Sequence, residues 1–574
     1  MAPRSYLIHL TSLLRITHKP QPLTTITLTF IRSNTRRNSS TMVRTYDDAL
    51  SHLAALQSNK AITSLFTTPT PSSNGTKVDL NSLAIPEMLA WAQRSGISQD
   101  DLSKLKCIHV AGTKGKGSVC AYLTALLTHN PTAGKVGTYT SPHLVSVRER
   151  IAIDGAPISK YLFTKYFFEV WDSCTEAARA EYQARKSSSS PSDTVEEISE
   201  ETLTGPATKP FFFRFLTIVA FRAFLSEGVA SAVVECGIGG EYDSTNILPP
   251  SSITSCVITQ LGIDHVGMLG ATLPEIAWHK AGIMKPGRAC YTRRLSDEKT
   301  MHVLRQRAEE KGATLVEVSD EDVQSWGGVQ PEVNVTGSLE GSFQKYNQSL
   351  AVHASLAHLQ VLSSSTHPKP PTTPSLSSIP SSFTKSLTHA HLRGRCETQT
   401  DPIQNNITYL IDGAHTPESL VEVASFYSSK LSSLYNPHTT TILLFNQQDR
   451  DSGHLVRTLL THIPPPTTNQ PSFSHAIFTR NDLFPPSTSS VSESTSQPDL
   501  SAQHTAAEAL RSLPSCSSTT TSITSSVSDA VSEIRSRAQA MAKEGSDEKI
   551  LVLVTGSLHL VGALLRILEP DSEL

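Results

Sequence analysis

At about 150 residues per domain, a chain of 574 residues has room for nearly four domains. Four stretches, 1–41, 186–209, 363–390 and 481–528, are rich in Ser, Thr and Pro and poor in large apolar side chains; their composition resists packing and leaves material for two ordinary domains. With 49 Lys+Arg against 52 Asp+Glu the net charge is −3, which gives no general attraction to a nucleic-acid backbone or an anionic membrane. No apolar run reaches the ~18 residues of an integral membrane span.

The first 41 residues hold six basic residues, thirteen Ser or Thr and no acidic residue, the composition of a mitochondrial transit peptide, and they stop just before Met42. A second start at Met42 would leave a shorter cytoplasmic product. The eight cysteines include no CxxC pair, and Cys236 and Cys256 sit inside apolar runs, so they read as buried thiols of a reducing compartment.

Short apolar strands are expected at 107–111, 135–139, 230–236, 255–261 and 288–292. Between the first two, Val119, Tyr122, Leu123, Leu126 and Leu127 recur at helical spacing and mark a helix with one buried face. Fully apolar strands alternating with helices imply a parallel sheet covered on both sides. The pattern restarts after the Ser/Pro-rich stretch 363–390, with strands at 407–412, 440–446, 475–479 and 549–555. The fold class is therefore α/β in two domains, 43–390 and 391–574, with no repeat of 20 to 50 residues.

Residues 107–118, CIHVAGTKGKGS, run from a strand through a Gly-rich turn into the amphipathic helix. Gly112, Thr113, Lys114, Gly115, Lys116, Gly117 and Ser118 would curl their amides around phosphate at a helix N-terminus, with Lys116 reaching the terminal phosphates of a nucleotide. The spacing departs from GxxxxGK[ST], because Gly117 follows the lysine and Ser118 comes one place later. Ser141, Glu235 and the pair Asp264–His265 each close a strand, where open α/β sheets place ligands. Hydroxyl, carboxylate and imidazole facing a triphosphate suit a divalent metal, with Mg2+ favoured by oxygen donors.

HVAGTKGKGS, TSPHLVSVRERIAIDG, ECGIGGEYDSTN, ITQLGIDHVGMLGATLPEIAWHKAGIMKPG, LIDGAHTPES, LLFNQQDRD and LVTGSLHLVG, in this order, closely resemble the folylpolyglutamate synthase family of Mur-ligase-like ATP-dependent amide ligases. The resemblance implies an N-terminal P-loop ATPase domain and a smaller Rossmann-like C-terminal domain, with ATP between them. It implies Ser141, Glu235 and His265 as metal ligands, Asn347, Arg395 and Asp412 at the nucleotide, and His415 close by as a catalytic candidate beside Lys116. It makes 141–155 the folate-side loop, where Arg148 and Arg150 are candidates for substrate carboxylates, a role suited to the guanidinium fork. Ordinary ion pairs on a β-hairpin are their other reading. For Lys280 the resemblance implies a catalytic carbamate formed with CO2, whereas the residues alone also allow a surface cation complementing a helix end.

The activity so implied is addition of L-glutamate in γ-linkage to tetrahydrofolate and its polyglutamates, with ATP and Mg2+ as cofactors and K+ as the monovalent cation. The partners are small molecules, with no nucleic acid and no integral membrane span, and the enzyme is expected as a monomer in the mitochondrial matrix and the cytoplasm. Two other readings stay open: a dihydrofolate synthase or bifunctional enzyme, and a nucleotide-binding regulator without catalysis.

Overall fold

The computed structural model describes residues 44–56, 80–188, 197–332, 337–363, 375–434, 439–448, 450–463, 472–485, 498–543 and 548–570. The leader 1–41 and Met42 lie outside these residues. Thr45–Leu574 forms one compact unit built on two sheets.

The first sheet comprises β1 (Lys106–Ala111), β2 (Val136–Tyr139), β3 (Ile151–Ile153), β4 (Ala156–Pro157), β5 (Ser231–Glu235), β6 (Ile253–Ile258), β7 (Ala289–Arg293) and β8 (Thr314–Val318), in the order β4-β3-β2-β5-β1-β6-β7-β8. Alternate residues of the central β1 enter opposite cores: Cys107 and Ala111 join the aromatic core containing Phe167, Trp171 and Phe215, while Ile108 and Val110 join the core under Lys116–Thr128 and Gln344–Ser363. Burial on both faces is why this strand reads as continuously apolar. The sheet is parallel from β2 to β8, but β3 and β4 add an antiparallel edge to the parallel sheet expected. Asp154 and Gly155, both at positive φ, make the turn of this hairpin.

The second sheet holds β9 (Glu397–Thr400), β10 (Ile407–Ile411), β11 (Thr439–Phe445), β12 (His475–Thr479), β13 (Thr520–Thr524) and β14 (Lys549–Thr555), in the order β13-β12-β11-β14-β10-β9. Only β9 in this sheet is antiparallel to its neighbour. Leu443, Phe445 and Leu553 pack into one core, whereas Ile442, Leu444 and Val552 pack into the other, beside Leu560 and Leu564 of the helix Leu558–Leu568.

Three of the stretches expected to resist packing pack in part. Within 481–528, the helix Ser501–Arg511 buries Ala506, Ala507 and Leu510, and β13 pairs with β12 at the sheet edge. Leu376, Phe383 and Leu387 are buried within 363–390, as is Leu203 within 186–209. Composition averaged over a long window hides short amphipathic helices, and β-branched threonines serve an edge strand well. The strand expected at 255–261 leaves the sheet after Ile258, and the freed residues from Thr259 form the loop that carries Asp264 and His265. All eight cysteines are buried and free, as the sequence suggested.

Candidate active site

The turn after β1 explains its glycines. Gly112 has φ +151, and a Cβ there would lie 1.8 Å from Thr259 Oγ1; Gly115 has φ +82, and a Cβ would lie 2.6 Å from Asn347 Oδ1. Both positions exclude a side chain by conformation and by space. The amides of Thr113 and Lys114 donate to Gln260 O at 3.0 and 3.1 Å, which ties the turn to the loop after β6. Thr113 Oγ1 donates to Gly262 O at 3.0 Å. The helix Lys116–Thr128 begins immediately after, and a helix start leaves the amides of Lys116, Gly117 and Ser118 without an intrahelical carbonyl. Those donors and the positive end of the helix dipole form an anion cradle.

A cleft of about 1000 Å³ opens over this cradle. From the first sheet it is lined by Thr113, Lys114, Gly115, Lys116, Gly117, Ser118, Ser141, Arg150, Glu235 and His265, from the helix Gln344–Ser363 by Asn347, and from the second sheet by Arg395, Asp412 and His415. The structure thus brings together most of the residues picked from the sequence. Gly112, Arg148 and Lys280 are outside the lining.

Glu235 ends β5, is 3% exposed, and stands 4.0 Å from Lys116 Nζ through its Oε1. Its Oε2 accepts the Ser141 amide at 3.1 Å. Burial raises its pKa, against the pull of Lys116, the Ser141 amide, Arg395 and Arg150. His265 occupies a left-handed position, φ +50, that starts the short helix Val266–Leu269. Burial lowers its pKa and Lys116 and Lys280 add to the effect, while Asp264 opposes it. A neutral imidazole, a carboxylate and a hydroxyl at one cleft match the chemistry of a divalent-metal donor set.

The neighbouring side chains divide between ligand-facing and structural roles. Arg150 Nε donates to His143 Nδ1 at 2.8 Å and its guanidinium lies over the Phe212 ring, within the cleft. Arg148 instead donates to Ile158 O at 3.0 Å and lies 6.0 Å from the Tyr46 ring centroid, so its expected carboxylate role has no support in this geometry. Lys280 is no surface cation: it is 3% exposed and its Nζ donates to Gly112 O at 2.8 Å, pinning the start of the turn from beneath. Burial, with Lys116 adding to it, brings the Lys280 pKa down to about 7. Lys114 pairs with Glu418 at 2.9 Å. Asp412 accepts the amides of Cys396 and Ala414, both at 2.8 Å, so its carboxylate organises its own turn. The His415 Nδ1 proton goes to Gly413 O at 3.0 Å, which leaves Nε2 as an acceptor.

Two functional candidates escaped the sequence reading. Arg450, from the loop after β11, donates to Asp264 Oδ1 at 3.0 Å beside His265; its block, LLFNQQDRD, was noticed only as a resemblance. Arg293 lies 3.9 Å from the Tyr346 ring centroid on the cleft wall and pairs with Asp320. Stacking across separate elements leaves no spacing signal in the sequence.

No family model matches the chain. It is 36% identical over 534 residues to folylpolyglutamate synthase of Saccharomyces cerevisiae, a match covering 92% of this chain and 87% of the relative. Among solved structures, folylpolyglutamate synthase of Mycobacterium tuberculosis complexed with ADP superposes with a TM-score of 0.60 at 22% identity, over 91% of this chain and 100% of that one. The Thermotoga maritima enzyme gives 0.56 at 19% identity over 92% and 98%, and E. coli FolC in complex with DHPP and ADP gives 0.53 at 19% identity over 91% and 99%. The two sheets, the Gly-rich turn at a helix start and the relatedness across nearly the whole length agree: the chain belongs to the folylpolyglutamate synthase family and is an ATP-dependent ligase of folate polyglutamate synthesis.

Proposed function

We propose that this enzyme adds L-glutamate to the γ-carboxylate of tetrahydrofolate and its polyglutamates through an acyl phosphate, with 43–390 binding ATP and 391–574 closing over it. The observation that carries this reading is the single cleft in which the cradle and Lys116–Glu235 of the first sheet meet Arg395 and His415 of the second. Solved relatives in complex with ADP and with AMPPCP and folate support it.

A folate γ-carboxylate is a poor acyl donor. Its oxygen attacks the γ-phosphorus of ATP, the bond to the β-phosphate oxygen breaks, and ADP leaves. The glutamate nitrogen then attacks the acyl carbon, inorganic phosphate departs with the bonding electrons, and the amine gives up a proton. Lys116 and the amides of the first helical turn offset charge on the transferring phosphoryl group, so the protein contributes position and electrostatics. Arg150 suits the folate carboxylate and Arg395 the phosphates from the opposite wall. Ser141, Glu235 and His265 would hold Mg2+, which when bound supplies charge neutralisation at the phosphate oxygens. Closure excludes water from the acyl phosphate. Both walls come from one chain, in keeping with a monomer.

The basic, acid-free leader ending before Met42 supports a matrix form and a cytoplasmic form, and polyglutamates carry too much charge to exchange readily between the two compartments. A fluorescent protein carrying residues 1–45 should enter mitochondria; retention in the cytosol would remove the matrix assignment. For the reaction, purified enzyme with ATP, Mg2+ and L-glutamate should release ADP rapidly with tetrahydrofolate, weakly with dihydropteroate and barely with neither. Equal rates with dihydropteroate would favour a bifunctional enzyme, and no acceptor-dependent release would end the ligase mechanism.

A further inference from the structure

The segment 141–150, which carries Ser141, His143 and Arg150 into the cleft, is seated on the second sheet's final helix at one point of very close approach. A Cβ built on Gly562 would lie 2.2 Å from Leu144 O and 3.0 Å from Leu144 C, both backbone atoms that a rotamer change cannot move aside. The Leu144 side chain enters the same corner: a Cβ on Gly394 would lie 3.0 Å from Leu144 Cδ1 and 2.9 Å from Val561 Cγ1. Leu144 and Val145 pack against the core that contains Leu560, Val561 and Leu564. Arg566 donates to Val145 O at 3.0 Å. The segment presents this surface as a preformed unit, since Glu149 accepts the amides of Leu144 and Val145, each at 2.8 Å. Gly394 directly precedes Arg395 in the chain, so the corner joins the segment bearing Arg150 to the segment bearing Arg395. Both guanidiniums act electrostatically on buried Glu235.

We propose that Gly562 and Gly394 form a socket for Leu144 that sets how far the cleft closes, making Gly562 a positioning residue for the reaction. The inference rests on the reading that the cleft makes an acyl phosphate from a folate carboxylate. A glycine inside a helix is unfavourable relative to alanine, so helix propensity alone favours Gly562→Ala. The collision with the Leu144 carbonyl works in the opposite sense and acts between the segment and the helix, neither of which includes the cradle residues 113–118. A displacement of about an ångström at a reacting centre costs on the order of 100-fold in rate. It also admits water, which diverts the acyl phosphate to hydrolysis.

The test compares wild type, Gly562→Ala and Leu144→Ala for AMPPCP binding, kcat, and ADP formed per glutamate transferred. Both variants should bind AMPPCP as wild type does, lose kcat with little change in the KM for ATP, and form several ADP per glutamate where wild type forms one. A purely structural role would lower stability and nucleotide binding together and leave the ratio at one. Should Gly562→Ala fail to fold, Leu144→Ala decides, since it empties the corner beside Gly394 and Val561 of the Leu144 side chain without any clash and leaves the backbone contact with Gly562 in place. Wild-type kcat and coupling in the folded variants would overturn the socket while leaving the ligase reading intact. A wild-type enzyme that transfers no glutamate would instead overturn that reading.

Discussion

At the carboxyl edge of the first sheet the polar side chains converge on one cleft: Lys116 stands 4.0 Å from Glu235, whose other oxygen accepts the Ser141 amide, and Ser141 and His265 line the same cleft. At the corresponding edge of the second sheet they are spent on their own backbone, Asp412 on the amides of Cys396 and Ala414 and His415 Nδ1 on Gly413 O. What the second sheet contributes to the cleft is long side chains, Arg395 from the turn before β9 and Arg450 from the loop after β11. The contrast separates two tasks. The first sheet holds the groups that act on phosphate, and the second completes the enclosure, so losses on the two sides should differ in size and in kind.

The largest effect should follow Lys116→Ala. Removing a preorganised charge from the transferring phosphoryl group should cost on the order of 100- to 1000-fold in kcat. Its side chain is not in a core, so the melting temperature should stay close to wild type. Near-normal turnover would reassign the cradle as an ordinary turn.

An intermediate effect should come from Lys280, through its ionisation. Its pKa near 7 means that the amine is protonated below that pH and increasingly neutral above it. A neutral amine adds CO2 to give a carbamate and a released proton, the modification that the family resemblance implies for this lysine. Activation by bicarbonate should therefore grow as pH rises through about 7, and Lys280→Ala should lose activity that short carboxylic acids partly restore. A fully active alanine variant indifferent to bicarbonate would leave Lys280 as a pin for Gly112 O and nothing more.

The smallest effect should come from Arg450→Ala on the second-sheet side. The Arg450–Asp264 pair is partly exposed, and such pairs are worth about 0 to 1 kcal/mol, so the expected result is a few-fold rise in the KM for ATP at low salt that fades as salt is added. A loss as large as that of Lys116→Ala would dissolve the division between the two sides and make Arg450 a direct phosphate ligand.

The first sheet was legible because its signals are local. Apolar strands such as CIHVA sit next to the Gly-rich turn, Glu235 falls where β5 ends, and His265 lies on the loop that follows β6. The hairpin at 151–157 was named only as an alternative setting for Arg148 and Arg150 and was not placed in the sheet, because its strands are only three and two residues long. Strand β13 and the helix Ser501–Arg511 were hidden in Ser/Thr-rich sequence, where burial depends on a partner element and not on composition. Arg148 and Arg150 differ by two positions and look equivalent in sequence. One reaches the cleft and the other bonds Ile158 O, because the turn Val147–Arg150 sends them different ways. The socket at Gly562 could not be read at all, since close approach of two distant backbones leaves only a glycine in a helix.

Activation of folate as an acyl phosphate in this cleft is the step on which the other roles depend. Tetrahydrofolate carrying 18O in its γ-carboxylate, turned over with ATP and L-glutamate, tests it directly. One 18O atom per turnover should appear in the released inorganic phosphate and none in ADP. Phosphate free of 18O, with glutamate transferred at the normal rate, would contradict it.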